Sequence, residues 1–490
     1  MSPIFEDIPK SGLWKRLVLG CALVVFATAG ATSVAAFREV DKLVNALREN
    51  ESIDLGADLA RTDPGAPQTI MLLGSDRRPD NATDGGAGTG ARSDTIILVR
   101  LDPDKGTALM SLPRDLKVEI PGHGTDKINA AYDLGGAKLT LKTVKRLTGL
   151  SVNHVINVDF NGFKKAVDAL GCIYLDIDQR YFNDTADFAY INIYSGYQKL
   201  CGEEALEYAR FRHFDNDLVR AARQQQVLRE AKQQIGAGKL FRDRDKLIEI
   251  FGRYTTSDDA LKNRAAIIRL LSLAVFSVDQ PLREVQFNGV EVTAGDEAAG
   301  VPSFVTASNE TVKKLADQFL GIVDTPGPRG GRGAARDPDG GLLKSPEAGE
   351  DLAERTIQKV RKKQDKGLSI YYPTVFRQGS SFEEAPRSYR LKDDEGKVHQ
   401  AYRMVITRDA AGGEYYGVQG TTWKDPPILA SEDPDTVSQG GRTFEVHRDG
   451  DRVRLVAWRT SKGAYWVSNT LLQSLSGRQM LAVARSTRVP

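Results

Sequence analysis

Between Thr69 and Asp115 the chain spells three short apolar runs separated by turn residues, and this stretch restricts the fold more than any other. Ile70–Leu73 is an apolar run stopped by Gly74. Thr95–Leu101 is rich in β-branched residues and halted by Asp102-Pro103-Asp104-Lys105-Gly106, and Thr107–Leu112 ends at Pro113. Runs of this length bounded by Gly, Pro and Asp read as strands. The DPDKG joint is short enough for a hairpin, so the second and third strands are expected to be antiparallel. If the first pair is antiparallel too, one edge collects Asp76 past the first strand, Arg92 and Asp94 before the second, and Arg114 and Asp115 past the third. Carboxylates beside guanidiniums are the donor chemistry for a hard divalent cation next to a phosphate. Charged residues at strand ends are ordinarily just solvated turns, so the reading needs a second cluster.

That cluster is GEEALEYARFRHFDNDLVRAARQQQ at 202–226. Arg220, Arg223 and Gln224 stand at i, i+3 and i+4, one face of a helix. Arg210 and Arg212 share a side only where the chain is extended. Four arginines between 210 and 223, in a chain of net charge +2, repel one another unless anions sit among them. A coat of solvated arginines is the plain alternative.

The blocks LLGSDRR, ARSDTIILV, SLPRDLKVEIPG, DKINAAYDLGG, VDFNGFKKAVDALG and GEEALEYARFR…DLVRAARQQQ occur in an order that resembles the LytR–CpsA–Psr family, over roughly residues 67–235. The resemblance implies an α/β fold, a mixed central sheet flanked by helices. It also implies an Mg²⁺-dependent phosphotransferase that moves a glycopolymer from a polyprenyl-pyrophosphate carrier onto a peptidoglycan hydroxyl. Matched residue by residue, Asp76 and Asp94 would hold Mg²⁺, with Mn²⁺ as the alternative. Arg92, Arg114, Arg210, Arg212 and Arg220 would clamp the phosphate oxygens in catalysis, with Arg223 and Gln224 adding to substrate binding. Asp115 is only a candidate base. Helices after residue 227 would line a polyprenyl pocket, although the lining itself is not assignable. The family often has glycine where Cys172 stands and a polar residue at Cys201. That paired departure implies a Cys172–Cys201 disulfide, which persists in an oxidising compartment. The third cysteine, Cys21, reads as apolar filler.

In chain order, residues 1–16 are polar, with Lys10, Lys15 and Arg16 ahead of an uncharged run, Leu17–Phe37. That run (17–37) is long enough to cross a bilayer as a helix, and its basic flank would stay in the cytoplasm. The expectation is a single-pass cell-membrane protein with its catalytic part extracytoplasmic; a signal peptide cleaved near ATAGATSVAA is the rival. Residues 38–66 read as a stalk, with a short helix and a flexible stretch at Asp63-Pro64-Gly65. Residues 67–322 form the catalytic domain, in which strands alternate with helices. A helix closes at Gly149, VNHVINVDF is a strand, FNGFKKAVDALG a helix and CIYLDI a strand, and 227–320 is mostly helical with one strand near Val285–Val292. The DGGAGTGA loop lacks the Lys-Ser/Thr of a P-loop and reads as a connector or a flap. Residues 323–365 are a Pro/Gly/Arg-rich linker and lead-in. Residues 366–490 read as a small β-rich C-terminal domain with a final helix near Ser476–Ala484. Its Tyr and Trp residues are either core or sugar-stacking surfaces.

A net charge of +2 argues against nucleic acid as a partner. There is no G-x-S-x-G elbow and no H-E-x-x-H, and the five histidines are scattered, so serine and zinc hydrolase chemistry lack their residues. The expected partners are a polyprenyl-pyrophosphate-linked glycan, peptidoglycan and the membrane. Two rivals survive: a polyprenyl-pyrophosphate phosphatase, and a scaffold that binds the lipid carrier without turnover.

Overall fold

The computed structural model describes residues 40–49, 52–63, 65–75, 93–185, 190–211, 217–234, 242–277, 282–287, 290–293, 303–323, 341–344, 346–362, 367–382, 386–409, 414–430, 434–449 and 452–490. The membrane-span expectation for 17–37 and the loop between Asp76 and Arg92 lie outside these residues. Among the described residues no helix is long and apolar enough to cross a membrane.

The first structural unit is a seven-stranded mixed sheet. In chain order its strands are β1 (Ser52–Ile53), β2 (Gln68–Ser75), β3 (Ser93–Asp102), β4 (Gly106–Leu112), β7 (His154–Asp159), β12 (Thr255–Asp258) and β13 (Leu282–Val285). Across the sheet they run β1-β12-β7-β2-β3-β4-β13. The expected hairpins are present: β2 pairs β3 and β3 pairs β4, both antiparallel. β2 also pairs β7 in parallel. The turn at 103–105 is held by the Asp102 carboxylate, which accepts from the amides of Asp104 (3.0 Å) and Lys105 (3.1 Å).

The apolar runs are continuous because both sheet faces are covered. Met71, Leu73, Ile96 and Leu98 face a core shared with α2 (Ala130–Thr148) and α8 (Asn309–Phe319). Ile70, Leu72, Val99 and Leu101 face the other core, beneath α1 (40–48) and α7 (Arg264–Ser277). Gly149 closes α2 with φ +69°, a left-handed conformation that suits glycine.

Two expectations are corrected here. The segment read as a stalk is part of the fold: Val40, Val44 and Leu47 of α1 are buried beside Ile156, Leu261 and Ile267. An amphipathic helix cannot stay free-standing when a complementary apolar face lies within reach. The region read as mostly helical contributes β12, seated between β1 and β7, as well as β13. The single strand expected near 285–292 is two, because β14 (Glu291–Thr293) pairs instead with β15 (Phe304–Thr306).

Smaller pieces complete this half. The hairpin β5 (Lys117–Ile120) and β6 (Gly124–Lys127) follows β4. α3 (Phe160–Ala169) follows β7 directly. β8 (Ile173–Ile177) pairs β11 (Gly196–Leu200), and β9 (Tyr181–Asn183) pairs β10 (Ile191–Ile193). Then come α4 (Gly202–Arg210), α5 (Asp217–Gln234) and α6 (Arg244–Tyr254). Cys172 and Cys201 are joined in a disulfide that ties the start of β8 to the start of α4.

After β16 (Leu342–Lys344) and α9 (Pro346–Lys362), β17 (Val375–Arg377) pairs back on β16. An eight-stranded antiparallel sheet follows. It contains β18 (Ser381–Phe382), β19 (Arg387–Lys392), β20 (Val398–Asp409), β21 (Glu414–Thr421), β22 (Asp435–Gln439), β23 (Arg442–Asp449), β24 (Arg452–Thr460) and β25 (Gly463–Ser468). One face packs on α10 (Gly477–Arg485) and the other on Tyr174 and Tyr197 of β8 and β11. Trp458, Trp466, Tyr402, Tyr416 and Tyr465 are fully buried, so these rings are core and not sugar-stacking surfaces.

Candidate active site

The chain ends of β2, β3 and β4 meet at one edge of the first sheet. Gly74 pairs Thr95 and Ser75 pairs Ser93, so the register slips by one and Asp94 is the bulged residue. Bulges of this kind re-aim a strand end and recur beside active sites. Ile96 pairs Leu112, so Asp94 and Arg114 each lie two residues beyond that pair at the same edge. Asp76, Arg92 and Arg212, and the side chain of Asp94, lie outside the described residues.

Arg114 is 5% exposed. Its carbonyl accepts from Asn129 N (3.2 Å), and its guanidinium lies 3.8 Å from the Asp115 carboxylate. Asp115 also pairs with Lys127 Nζ at 3.0 Å. Lys127 is therefore held beside Arg114 by a shared carboxylate. The same pairing ties up the residue considered as a base.

Helix α5 crosses this edge. Gln224 Nε2 donates to Thr95 Oγ1 at 3.0 Å, which sets the helix against the residue following the bulge. Arg220, one turn earlier on the same face, is 4% exposed. Arg223 differs from the expectation for a substrate-binding residue. It is fully buried, it donates to Phe211 O (2.6 Å), and its guanidinium lies 4.9 Å from the ring of Tyr181 and 5.5 Å from that of Phe211. A group with no exposed surface cannot meet a ligand. Arg223 instead holds Phe211, the residue after Arg210.

Arg210 ends α4 and stacks on Phe160, 4.0 Å from guanidinium carbon to ring centroid. Phe160 is the first residue of α3, whose N-cap is Asp159. Asp159 pairs Ser75 across β7 and β2, which seats it at the same edge as Asp94. Its carboxylate accepts from Gly162 N at 2.6 Å. Burial raises its pKa, with the Gly162 and Asn161 amides opposing more weakly. Asp159 is not among the residues expected from the sequence, although an Asp directly ahead of a helical segment is a preferred N-cap.

The body of α3 leads away from these charges into an apolar cavity of about 440 Å³. Phe163 and Ala166 of α3, Ile156 and Val158 of β7, Leu247 and Phe251 of α6, and Ile267 and Leu270 of α7 line it, and Leu43 closes one side. Gly162 permits this close helix pair, because a Cβ there would stand 2.5 Å from Tyr254 Cβ. Arg210 at the first turn of α3 and the apolar cavity beside Phe163 and Ala166 thus lie along the same helix. Among the described residues, the one cluster with metal-ligand spacing is Asp168 with Cys172 and Cys201, and those sulfurs are spent in the disulfide.

Fold and site together define an α/β protein with arginines gathered at one sheet edge and an apolar cavity along a neighbouring helix. The LytR_cpsA_psr family model matches residues 31–315, and the chain belongs to that family. Polyisoprenyl-teichoic acid–peptidoglycan teichoic acid transferase TagT of Bacillus subtilis (strain 168) is 31% identical over 324 residues, covering 63% of this chain and 95% of that protein. The corresponding TagU of Enterococcus faecalis is 32% identical, covering 45% of this chain and 70% of its own. Among solved structures, that of B. subtilis TagV aligns with a TM-score of 0.42 at 25% identity, covering 54% of this chain and 100% of that one.

Proposed function

We propose that this chain is a phosphotransferase that moves a glycopolymer from a polyprenyl-pyrophosphate carrier onto a peptidoglycan hydroxyl. The observation that carries the reading is the 31% identity to TagT over nearly the whole of that transferase. The cavity along α3 supports it, because a polyprenyl chain is a long run of apolar surface of the kind these side chains would cover.

In this reading the polyprenyl tail lies between α3, α6 and α7, and the pyrophosphate rests at the sheet edge near Arg210, Arg114 and Arg220, with Arg92 and Arg212 completing the clamp. Guanidiniums offer several fixed donors to phosphate oxygens and stay charged at any working pH. The acceptor hydroxyl attacks the phosphorus on the glycan side. Its O–P bond forms as the bond to the bridging oxygen breaks, polyprenyl phosphate leaves, the hydroxyl proton passes to a base or to solvent, and a phosphodiester remains. Fixed positive charge around the oxygens acts by positioning and by stabilising charge in the transition state.

The donor set also fits a hard divalent cation. Asp76 directly follows β2 in the sequence and Asp94 is the bulge of the adjacent β3, and carboxylate oxygens are the ligands Mg²⁺ or Mn²⁺ prefers. Asp76 and Asp94 would hold Mg²⁺, which when bound supplies charge neutralisation at the pyrophosphate. The uncharged run at 17–37 would anchor the protein in the cell membrane as a single span, keeping the site outside the cytoplasm and close to a lipid-borne donor.

The test is a transfer assay with a defined polyprenyl-pyrophosphoryl glycan and a peptidoglycan oligosaccharide, with Mg²⁺ or EDTA. Acceptor-linked phosphodiester is expected, falling by about 10³-fold in Arg220→Ala, the scale of a lost phosphate-clamping arginine. Polyprenyl phosphate released without acceptor product would move the assignment to a phosphatase. Lipid binding without turnover would leave a scaffold.

A further inference from the structure

Helix α5 has two working faces. Arg220 and Gln224 look toward the sheet edge, where Gln224 meets Thr95. Further along, Gln226, Arg229, Glu230 and Gln233 stand at i, i+3, i+4 and i+7, a second stripe on the same rod. This second stripe meets the C-terminal sheet. Arg454 of β24 donates to Glu230 at 3.1 Å, and Glu230 also lies 3.4 Å from Arg229 Nε. Arg229 in turn pairs with Glu284 of β13, whose amide donates to Asp449 of β23 at 3.4 Å. Gln233 donates to Pro427 O, and Gln226 to the carbonyl of Asp176. Asp176 itself accepts from Trp466 Nε1 at 2.9 Å and from Arg403 at 3.3 Å. Glu230 and Glu284 have 1% exposed side chains, and Arg403 has none.

A junction serving only to glue a late sheet onto a finished domain would be expected to be apolar. Buried ion pairs add little net stability, because desolvation costs about as much as pairing returns. What they do supply is registry, since a slip of one residue would strand a charge inside the protein. Here the registry is imposed on the helix that carries the phosphate-clamping residues. We propose that the C-terminal sheet is a positioning element for the active site, with Glu230 and Arg454 as positioning residues that fix the tilt and register of α5 and hence the placement of Arg220 and Gln224. This rests on the transferase reading above. It gives residues 367–490 a task that needs no ligand of their own.

The test uses the full chain in detergent, with the pair replaced by apolar residues of similar length, Glu230→Met with Arg454→Met. The melting temperature is expected to stay level or to rise, as for other buried pairs replaced by well-packed apolar side chains. The kcat of transfer is expected to fall about 10- to 100-fold, the cost of misplacing a catalytic group by about an ångström. The KM for the lipid donor should hold within about threefold, because the cavity is untouched. Wild-type kcat in the double variant overturns the proposal, and so does a loss of activity that merely tracks a collapse in melting temperature. Should the double variant not fold, Arg454→Lys carries the test, since it keeps the charge without the planar fork. An about three- to tenfold drop in kcat at constant KM is expected there, and unchanged kcat overturns the proposal. If the wild-type chain transfers nothing, the transferase reading falls separately. The positioning is then read by hydrogen exchange: amides 219–225 should exchange about tenfold faster in whichever of these variants folds, and unchanged exchange overturns it.

Discussion

The two sheets of this protein cover their apolar faces in opposite ways. Against one face of the first, helices α1, α3, α6 and α7 leave a cavity of about 440 Å³ lined by apolar side chains. The corresponding face of the second is filled by rings: Trp458 stacks on Tyr465 at 5.6 Å, and Tyr371 meets Tyr465 edge-on at 4.7 Å. Protein interiors normally hold few voids larger than a water molecule, and an apolar void costs about 24 cal/mol per Å³. The apolar space against the first sheet has no counterpart among the packed rings of the second. In the transferase reading the first sheet has room for a polyprenyl tail, and the second holds its shape.

The comparison is broken most directly by filling the cavity. Ala166→Trp should cut binding of polyprenyl phosphate and the rate of transfer by about 100-fold, while the melting temperature holds or rises, since the new ring occupies existing apolar space. A variant with full transfer and unchanged lipid binding would remove the cavity from the mechanism. The converse substitution lies in the second sheet. Trp458→Ala should cost about 3–5 kcal/mol of stability, seen as a lower urea midpoint. Its transfer rate per folded molecule should stay far closer to wild type than that of the cavity variant. Between these in location, and smaller in effect, is the disulfide. It closes a loop with a sequence separation of 29, so Cys172→Ser with Cys201→Ser should cost about 2–4 kcal/mol, and reductant should reproduce the loss in the wild type but not in the variant.

Much of the first sheet was readable because its strands are buried on both faces. β2, β3 and β4 are almost uninterrupted apolar runs, and the Asp-Pro-Asp-Lys-Gly joint left one way to connect two of them. β12 was not readable. Its Thr-Thr-Ser-Asp is short and polar, and it becomes a strand through partners far away in sequence, with the Asp258 carboxylate receiving Val155 N at 2.9 Å. The docking of α1 was hidden for a related reason, because an amphipathic helix shows which face is apolar but not what will cover it. The same limit applies to Arg220, Arg223 and Gln224. Spacing put them on one face, yet only packing separates Arg223, sealed among Tyr181, Tyr208 and Phe211, from its neighbours. The ion cluster between α5 and the C-terminal sheet joins residues more than two hundred positions apart, beyond the reach of any local pattern.

That cluster provides the prediction with the clearest sign. Burial, reinforced by Asp449, pushes the Glu284 carboxyl up to about 7, with Arg229 pulling the other way. In the unfolded chain the same carboxyl loses its proton near its ordinary value of about 4.3. Between those two values the folded protein holds a proton that the unfolded chain has released, so stability must fall as pH rises through the interval. The contribution is fully present below the unfolded value and gone above about 7. The opposing pull of Arg229 is already contained in that value, and stability changes by about 1.4 kcal/mol for every tenfold difference in proton affinity between the folded and unfolded chains. Urea midpoints measured from pH 5 to 8 should decline in the wild type and flatten in Glu284→Gln, whose amide does not titrate. Equal slopes would mean that Glu284 stays ionised throughout. The junction would then hold its charges as tightly as the second sheet holds its rings, and the contrast between a rigid scaffold and an adaptable site would rest on the cavity alone.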